Sequence, residues 1–497
     1  MSTKRIRRII RQFLLAASVI AAAGALSSRV FAQPAEIEIR LQPDANRIAI
    51  ELTTAPASSW SFVDSYAGIV GLGRRIERFA AFDQSGSEVQ LSQSAPGQFK
   101  SASPVKRVRY EVDLRPVSRA ADFSMISWLD KDRGVLMPSD LLPVLSGASG
   151  PAKENPRIHF QLTRPWAVGS GELKLSPDEF AIADVSRAVF ALGTNLRISQ
   201  TNTSGMTMNL VTNGDWAFTD SDCLQLAQQV LKAHRETFGS FPGKTATFIL
   251  FPFPLAVNAT QWSAETRGAT VVLIMGKLPS KVAALAQLST PVTHEFFHLW
   301  IPNALVLSGN YDWFYEGFTI YQAAQTAVKL GLLTFPEFLK SMARAHDSSK
   351  NETSLSLIEA SSRRFTGGLN SVYAKSEVVA FIYDLRLRAL SRNKRSLTDA
   401  YRKLLSPSRS DNGRAKSLDG NDVATTVLSG ELGTDEFALR FIQNPVSIDL
   451  ASELAPFGLK VVTAGWRTEI SVDEKLNKQQ RDLLRELGYN AATHAAH

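Results

Sequence analysis

The chain has 497 residues, 44% of them hydrophobic and 21% charged, which excludes bulk disorder and a fibrous architecture. That length is roughly two to three times a usual single domain, and the single cysteine, Cys223, excludes an intramolecular disulfide framework and a multi-cysteine metal site. The formal charge of +8 is no nucleic-acid signature: Lys4, Arg5, Arg7, Arg8, Arg11 and Arg29 sit in the first 32 residues, which hold no acid, and the remainder carries 49 basic against 47 acidic residues.

Those first 32 residues read as a secretory signal peptide. A basic start precedes an apolar run at 13–26 (FLLAASVIAAAGAL), and Val30-Phe31-Ala32 offers a cleavage site before Gln33. Fourteen largely apolar residues fall short of the about 20 that span a bilayer, which disfavours the rival reading as an uncleaved anchor. The layout predicts a bacterial periplasmic or secreted protein without stable membrane insertion. Residues 33–186 alternate apolar and polar in short stretches, such as 36–41 (EIEIRL), 47–52 (RIAIEL) and 157–162 (RIHFQL), and predict an antiparallel β domain. A further β stretch follows to Val211. Leu224, Leu226, Val230, Leu231 and Phe238 then take helical spacing before Gly239. Residues 245–251 (TATFILF) and 270–275 (TVVLIM) read as buried strands, and helix dominates from Ser280 to about Tyr401. The predicted organisation is a β domain at 33–186, a mixed α/β domain at 187–345, a helical domain at 346–475 and a tail at 476–497 that opens with a polar helix.

Residues 294–298 read His-Glu-Phe-Phe-His. Ser289 or Thr290 is suited to cap a helix there, with Pro291 at its first position. On that helix His294 and His298 stand one turn apart on one face, where two imidazoles bind one Zn²⁺ at about 2.0–2.1 Å. Glu295 points away by about 100°, placed to take a proton from a water rather than to bind metal. The competing reading is a polar helix with two incidental histidines. Phe296, Phe297, Leu299 and Trp300 argue against it, because they make the segment apolar all round, and buried histidines beside a buried glutamate need a partner such as a cation.

A catalytic zinc takes three protein ligands and keeps one open position. The third is sought in 310–319 (NYDWFYEGFT), where Asp312 is suited to cap a second helix running to about Leu330 and Glu316 lies one turn in. Asp312 and Glu337 are poorer ligand candidates. Tyr373 opens a third helix and is either a core tyrosine or a donor to an oxyanion. Cys223 reads as a buried structural thiol, and His159 and His234 as residues without a role. Arg363-Arg364 reads as either a solvated loop or a substrate-carboxylate site.

The segments 294–300 (HEFFHLW), 313–319 (WFYEGFT) and Tyr373-Ala374-Lys375 followed by 384–388 (DLRLR) resemble the glycyl aminopeptidase family of gluzincin zinc metallopeptidases, which is related to aminopeptidase N and leukotriene A4 hydrolase. The resemblance runs from about Pro34 to Val462, loosely over the β domain. It implies a thermolysin-like catalytic domain, one Zn²⁺ per chain held by His294, His298 and Glu316, Glu295 as general base, and Tyr373 as oxyanion donor. The implied activity is hydrolysis of peptide or protein substrates, aminopeptidase-like; the alternatives are an endopeptidase and an inactive zinc-binding homologue that recognises peptides or an envelope partner. Three departures qualify the match. Seventeen residues separate His298 from Glu316, closer to the aminopeptidase N spacing. The amine-gripping Gly-Gly-x-Glu-His or Gly-Ala-Met-Glu-Asn motif is replaced by 263–270 (SAETRGAT), where Glu265 is a substitute and Arg267 a rival carboxylate binder. Only 35 residues follow Val462, too few for the PDZ domain of many glycyl aminopeptidases.

Overall fold

The computed structural model describes residues 36–146, 155–406 and 418–490; the expected signal segment and the end of the tail lie outside the described residues. In the N-terminal part, strand Glu36–Gln42 buries Ile37 and Ile39 and exposes Glu36, Glu38 and Arg40. The next strand, Arg47–Ser61, buries Ile48, Ile50 and Leu52 in the same way. This period-two pattern places one face on a core and the other in water. The two strands pair antiparallel, and Arg47–Ser61 pairs in turn with Gln98–Asp113, within a nine-stranded sheet. One pairing departs from the expected antiparallel domain: Glu36–Gln42 runs parallel to Arg157–Gln161. A four-stranded sheet adds to this unit, and its strand Phe190–Gly193 pairs with Arg133–Leu136, so the pairing continues past residue 187.

The middle of the chain builds a five-stranded sheet in the order Arg197–Thr203, Met206–Thr212, Thr245–Pro252, Thr270–Met275, Trp262–Arg267. The two central pairings are parallel, and the outermost strand, Trp262–Arg267, runs antiparallel to Thr270–Met275. Thr245–Pro252 and Thr270–Met275 are buried almost throughout, as the two apolar runs predict. Helix Asp220–Phe238 crosses between sheet strands, opened by a Thr219/Asp222 capping box and closed by Gly239 at φ 88°. A shared apolar layer joins this sheet to the N-terminal unit: Phe123, Trp128 and Val135 pack with Ile249, Phe251 and Ile274. Because that seam is made of close-packed side chains, N-terminal residues can take fixed positions over the sheet.

Helices make up most of the chain beyond Ser280 and share one core with the sheet. The observed order is therefore a β domain, a mixed α/β middle and a helical C-terminal region. A hairpin of Leu459–Ala464 and Arg467–Val472, which the alternation had not revealed, docks on helix Phe335–Ser349, where Asp347 accepts from the Thr468 N–H and hydroxyl. The polar tail helix forms at Lys478–Glu486. Among the described residues no helix is long and apolar enough to cross a membrane.

One buried acid in this helical core has a consequence for stability. Burial pushes the Glu377 carboxyl up to about 8, with Arg344 pulling the other way. The folded protein thus keeps this proton at pH values where the unfolded chain has released it. Stability falls as pH rises from the ordinary carboxylate range toward 8, and the loss levels off above it. Glu377→Gln removes that slope. A variant that matches the wild type near pH 5 and gains on the order of a few kcal/mol near pH 8 is expected, read from the thermal midpoint across pH.

Candidate active site

The His-Glu-Phe-Phe-His segment closes a helix that begins well before the expected cap. Ser280 caps it, its hydroxyl accepting from the Ala283 N–H, and the helix spans Lys281–Phe297 with Pro291 inside. The run of alanines and leucines before Ser289 supplies helix propensity that outweighs one proline. The Thr293 hydroxyl donates to the Ser289 and Thr290 carbonyls beside it. Buried His234 stacks edge-on against Phe297 and Trp300, and its Nε2 pairs with the Thr293 carbonyl, so it is a core residue of the wall behind the site. Cys223 is likewise buried in the core.

Glu316 comes from a second helix, which opens differently from expectation. Residues Trp313–Phe318 form a wide π turn that continues into helix Thr319–Lys329. Asp312 does not cap it; its carboxylate pairs with the Arg364 guanidinium at 2.8 Å instead. A second π turn, Ser371–Lys375, carries Tyr373 into helix Ser376–Ser391. Both turns shift side chains off regular helical positions, which is what π turns commonly do at functional sites. Gly317 lets the two turns touch: a Cβ there would lie 2.2 Å from Ser376 Cβ and 2.7 Å from the Val372 carbonyl oxygen.

Three donor atoms converge. His298 Nε2 lies 3.0 Å from His294 Nε2, and Glu316 Oε2 lies 3.4 Å and 3.6 Å from these two nitrogens. A tetrahedral ion with bonds of about 2.0–2.1 Å spaces its donors by about 3.4 Å, so this triangle fits one zinc-sized cation. Among the described residues it is the one group of three suited to hold a metal. The Nδ1 of His298 faces the Ile301 carbonyl at 2.8 Å, which sets that nitrogen as a donor and turns Nε2 toward the triangle, where either a proton or a cation can sit. Burial opposes charge on the His298 ring, but the hydrogen bond and charge of Glu316, with Glu295 behind, outweigh it and push its pKa up to about 9. Burial also opposes charge on Glu316; Arg364 and the two histidines outweigh it and hold its carboxyl well below the ordinary range. The site thus favours positive charge at its centre. Glu337, the other acid weighed from the sequence, caps its own helix through Thr334 and takes no part.

Glu295 is buried, and its Oε2 accepts from the Thr266 hydroxyl at 2.7 Å. Thr266 was not singled out from the sequence; its place on an edge strand beside the histidine helix is a tertiary fact. Its neighbour Glu265 is capped by Tyr66 of the N-terminal unit, whose hydroxyl donates to Oε1 at 2.7 Å. Burial raises the Glu265 pKa, while Arg267 and the Tyr66 hydrogen bond pull it down. Arg267 is no carboxylate binder in the cleft. Its guanidinium donates to Ser139 Oγ and the Met125 carbonyl and lies over the Tyr66 ring, so it ties the two units together.

Tyr373 and Arg364 complete the opposite wall. Burial, then the charge of Glu316, holds the Tyr373 pKa well above its ordinary value, with Arg364 opposing; the side chain is a neutral phenol and a proton donor. These groups surround a cleft of 760 Å³ whose apolar walls include Trp262, Phe365 and Leu369. That volume holds a short peptide.

No protein-family model matches the chain, and no curated protein sequence does. Solved structures do match. An aminopeptidase N family protein from Idiomarina loihiensis superposes with a TM-score of 0.71 at 18% identity, over 86% of this chain and 79% of that one. An M1 zinc metallopeptidase from Deinococcus radiodurans gives 0.53 at 13% identity, over 85% of this chain and 96% of that one. A variant of that protein bound to a Tyr-Ser-Ala substrate gives 0.54 at 12% identity, over the same shares. The fold is that of the M1 zinc metallopeptidases.

Proposed function

We propose that this protein is a zinc-dependent peptidase that removes residues from the free amino end of peptides. The observation that carries the reading is the convergence of His294, His298 and Glu316 beside a Glu295 carboxylate that the Thr266 hydroxyl holds in the same cleft. The three ligands would hold Zn²⁺, which supplies Lewis acidity to the scissile carbonyl and acidifies water. Glu295 takes the proton of the attacking water and passes it to the leaving amine. Tyr373 donates its hydroxyl proton to the oxygen that becomes negative in the transition state. Thr266 keeps the Glu295 carboxylate in one rotamer through both transfers.

Recognition of the amino end is assigned to Glu265. Its carboxylate lines the cleft on the edge strand, one residue from Thr266, and is suited to hold an ammonium group. The test compares peptides with free and with N-acetylated ends. Free peptides are cleaved and acetylated ones spared if the assignment holds; equal cleavage makes the protein an endopeptidase. Glu265→Gln raises KM for free peptides by about 10- to 100-fold, the loss of one charge-assisted hydrogen bond, and leaves the acetylated set unmoved.

We also assign the protein to the periplasm or the extracellular space, on the strength of residues 1–32 alone. Cell fractionation with amino-terminal sequencing checks this: a mature chain beginning at Gln33 is expected, and a chain retaining Met1–Ala32 in the membrane fraction overturns it.

A further inference from the structure

We propose that Arg364 is a positioning residue that divides the Glu316 carboxylate and aims the Tyr373 hydroxyl; the proposal rests on the peptidase reading above. The two oxygens of Glu316 face different partners. Oε2 is the atom near the two histidine nitrogens, while Oε1 pairs with Arg364 Nη2 at 3.0 Å. With Oε1 claimed, only one carboxylate oxygen is offered to the metal, and room remains for water and substrate. The same Nη2 donates to the Tyr373 hydroxyl oxygen. A phenol has one proton and two lone pairs. When the guanidinium occupies a lone pair, the proton is free to point at the developing oxyanion, and the adjacent positive charge strengthens it as a donor.

The rest of the side chain is built to keep it there. Nη1 pairs with Asp312 Oδ1 at 2.8 Å, and the guanidinium lies over both the Phe365 and Tyr373 rings. The side chain is only 15% exposed. A planar fork does what an ammonium cannot: it reaches Asp312 with one arm and Glu316 plus Tyr373 with the other. These contacts engage both terminal nitrogens of the guanidinium within the protein, so Arg364 is not part of a solvated loop.

The test uses the wild type, R364Q, Y373F and the double variant, each saturated with zinc for kinetics and titrated separately against a chelator. R364Q is expected to weaken zinc binding by about 10- to 100-fold, as loss of a residue that orients a ligand does. It should also lower kcat by about 100-fold, the scale of one oxyanion donor, with KM little changed. Added to Y373F, it should cost less than about threefold in kcat, because the tyrosine through which it acts is already gone. Zinc binding equal to wild type in R364Q, or a full kcat loss on top of Y373F, overturns the proposal. If R364Q does not fold, R364K keeps the buried charge and carries the same readouts; full recovery of both by lysine also overturns it. Failure of the zinc-loaded wild type to cleave any peptide would sink the peptidase reading instead, and the chelator titration would still judge the contact with Glu316.

Discussion

Replacing Glu295 by glutamine is expected to lower kcat by about 10³-fold while zinc stays at one per chain. Glutamine keeps the size of the side chain and a carbonyl oxygen that can still accept from the Thr266 hydroxyl, so the wall of the cleft is preserved. What it loses is basicity: an amide cannot take a proton from water at neutral pH. None of the three converging donor atoms belongs to Glu295, so metal content has no reason to fall. His294→Ala is the contrasting variant. It removes one corner of the triangle, and both metal and turnover should go. Peptide hydrolysis and metal analysis on the two purified variants separate the roles. Glu295→Gln retaining a tenth or more of wild-type turnover would remove Glu295 from the mechanism. His294→Ala keeping one tightly held metal would remove the proposed ligand set.

A methyl group added at Gly317 should be nearly as damaging to turnover, although Gly317 touches no substrate. Its Cβ would sit 2.2 Å from Ser376 Cβ and 2.7 Å from a backbone oxygen, Val372 O. Neither is the far end of a flexible side chain, so the π turns carrying Glu316 and Tyr373 must move apart. Overpacking of this kind costs about 1–3 kcal/mol of stability. The larger effect is on chemistry: a shift of about 1 Å between groups that act together can cost about 10²-fold in rate. Gly317→Ala should therefore fold with a lowered thermal midpoint, bind zinc more weakly and turn over about 10²-fold more slowly. Ala327→Gly, half-buried near the far end of the helix that this turn leads into, perturbs helix propensity without that contact and should leave turnover near wild type. Wild-type kinetics in Gly317→Ala would show that the two turns are not held in register by this glycine.

The arrangement of the cleft explains why its parts come from distant segments. Tyr66 arrives from the N-terminal β unit, Glu265 and Thr266 from the sheet edge, His294, Glu295 and His298 from one helix, Glu316 from a second, and Arg364 and Tyr373 from the loop and turn before a third. The apolar seam between the N-terminal unit and the central sheet keeps Tyr66 within hydrogen-bond reach of Glu265. A site assembled this way excludes water on several sides, which strengthens each charge interaction within it.

How much of this was legible in the sequence follows from the range of each interaction. The two histidines and Glu295 lie within five residues, and a helical period alone puts the imidazoles on one face. The buried strands declared themselves because both of their faces are apolar, and the N-terminal domain because one of its faces is polar. Local chemistry misled where packing overruled it. Pro291 suggested a helix start, but the helix runs through it from Ser280; Asp312 suggested a cap, but Arg364 takes its carboxylate. No local pattern marks a π turn, the Thr266 hydroxyl on Glu295, the Tyr66 hydroxyl on Glu265 or the division of Glu316 between histidines and Arg364. Spacing within a helix or strand is set by the backbone and can be read one segment at a time. Which acid meets which cation is decided by how separate segments pack, and that is written only in three dimensions.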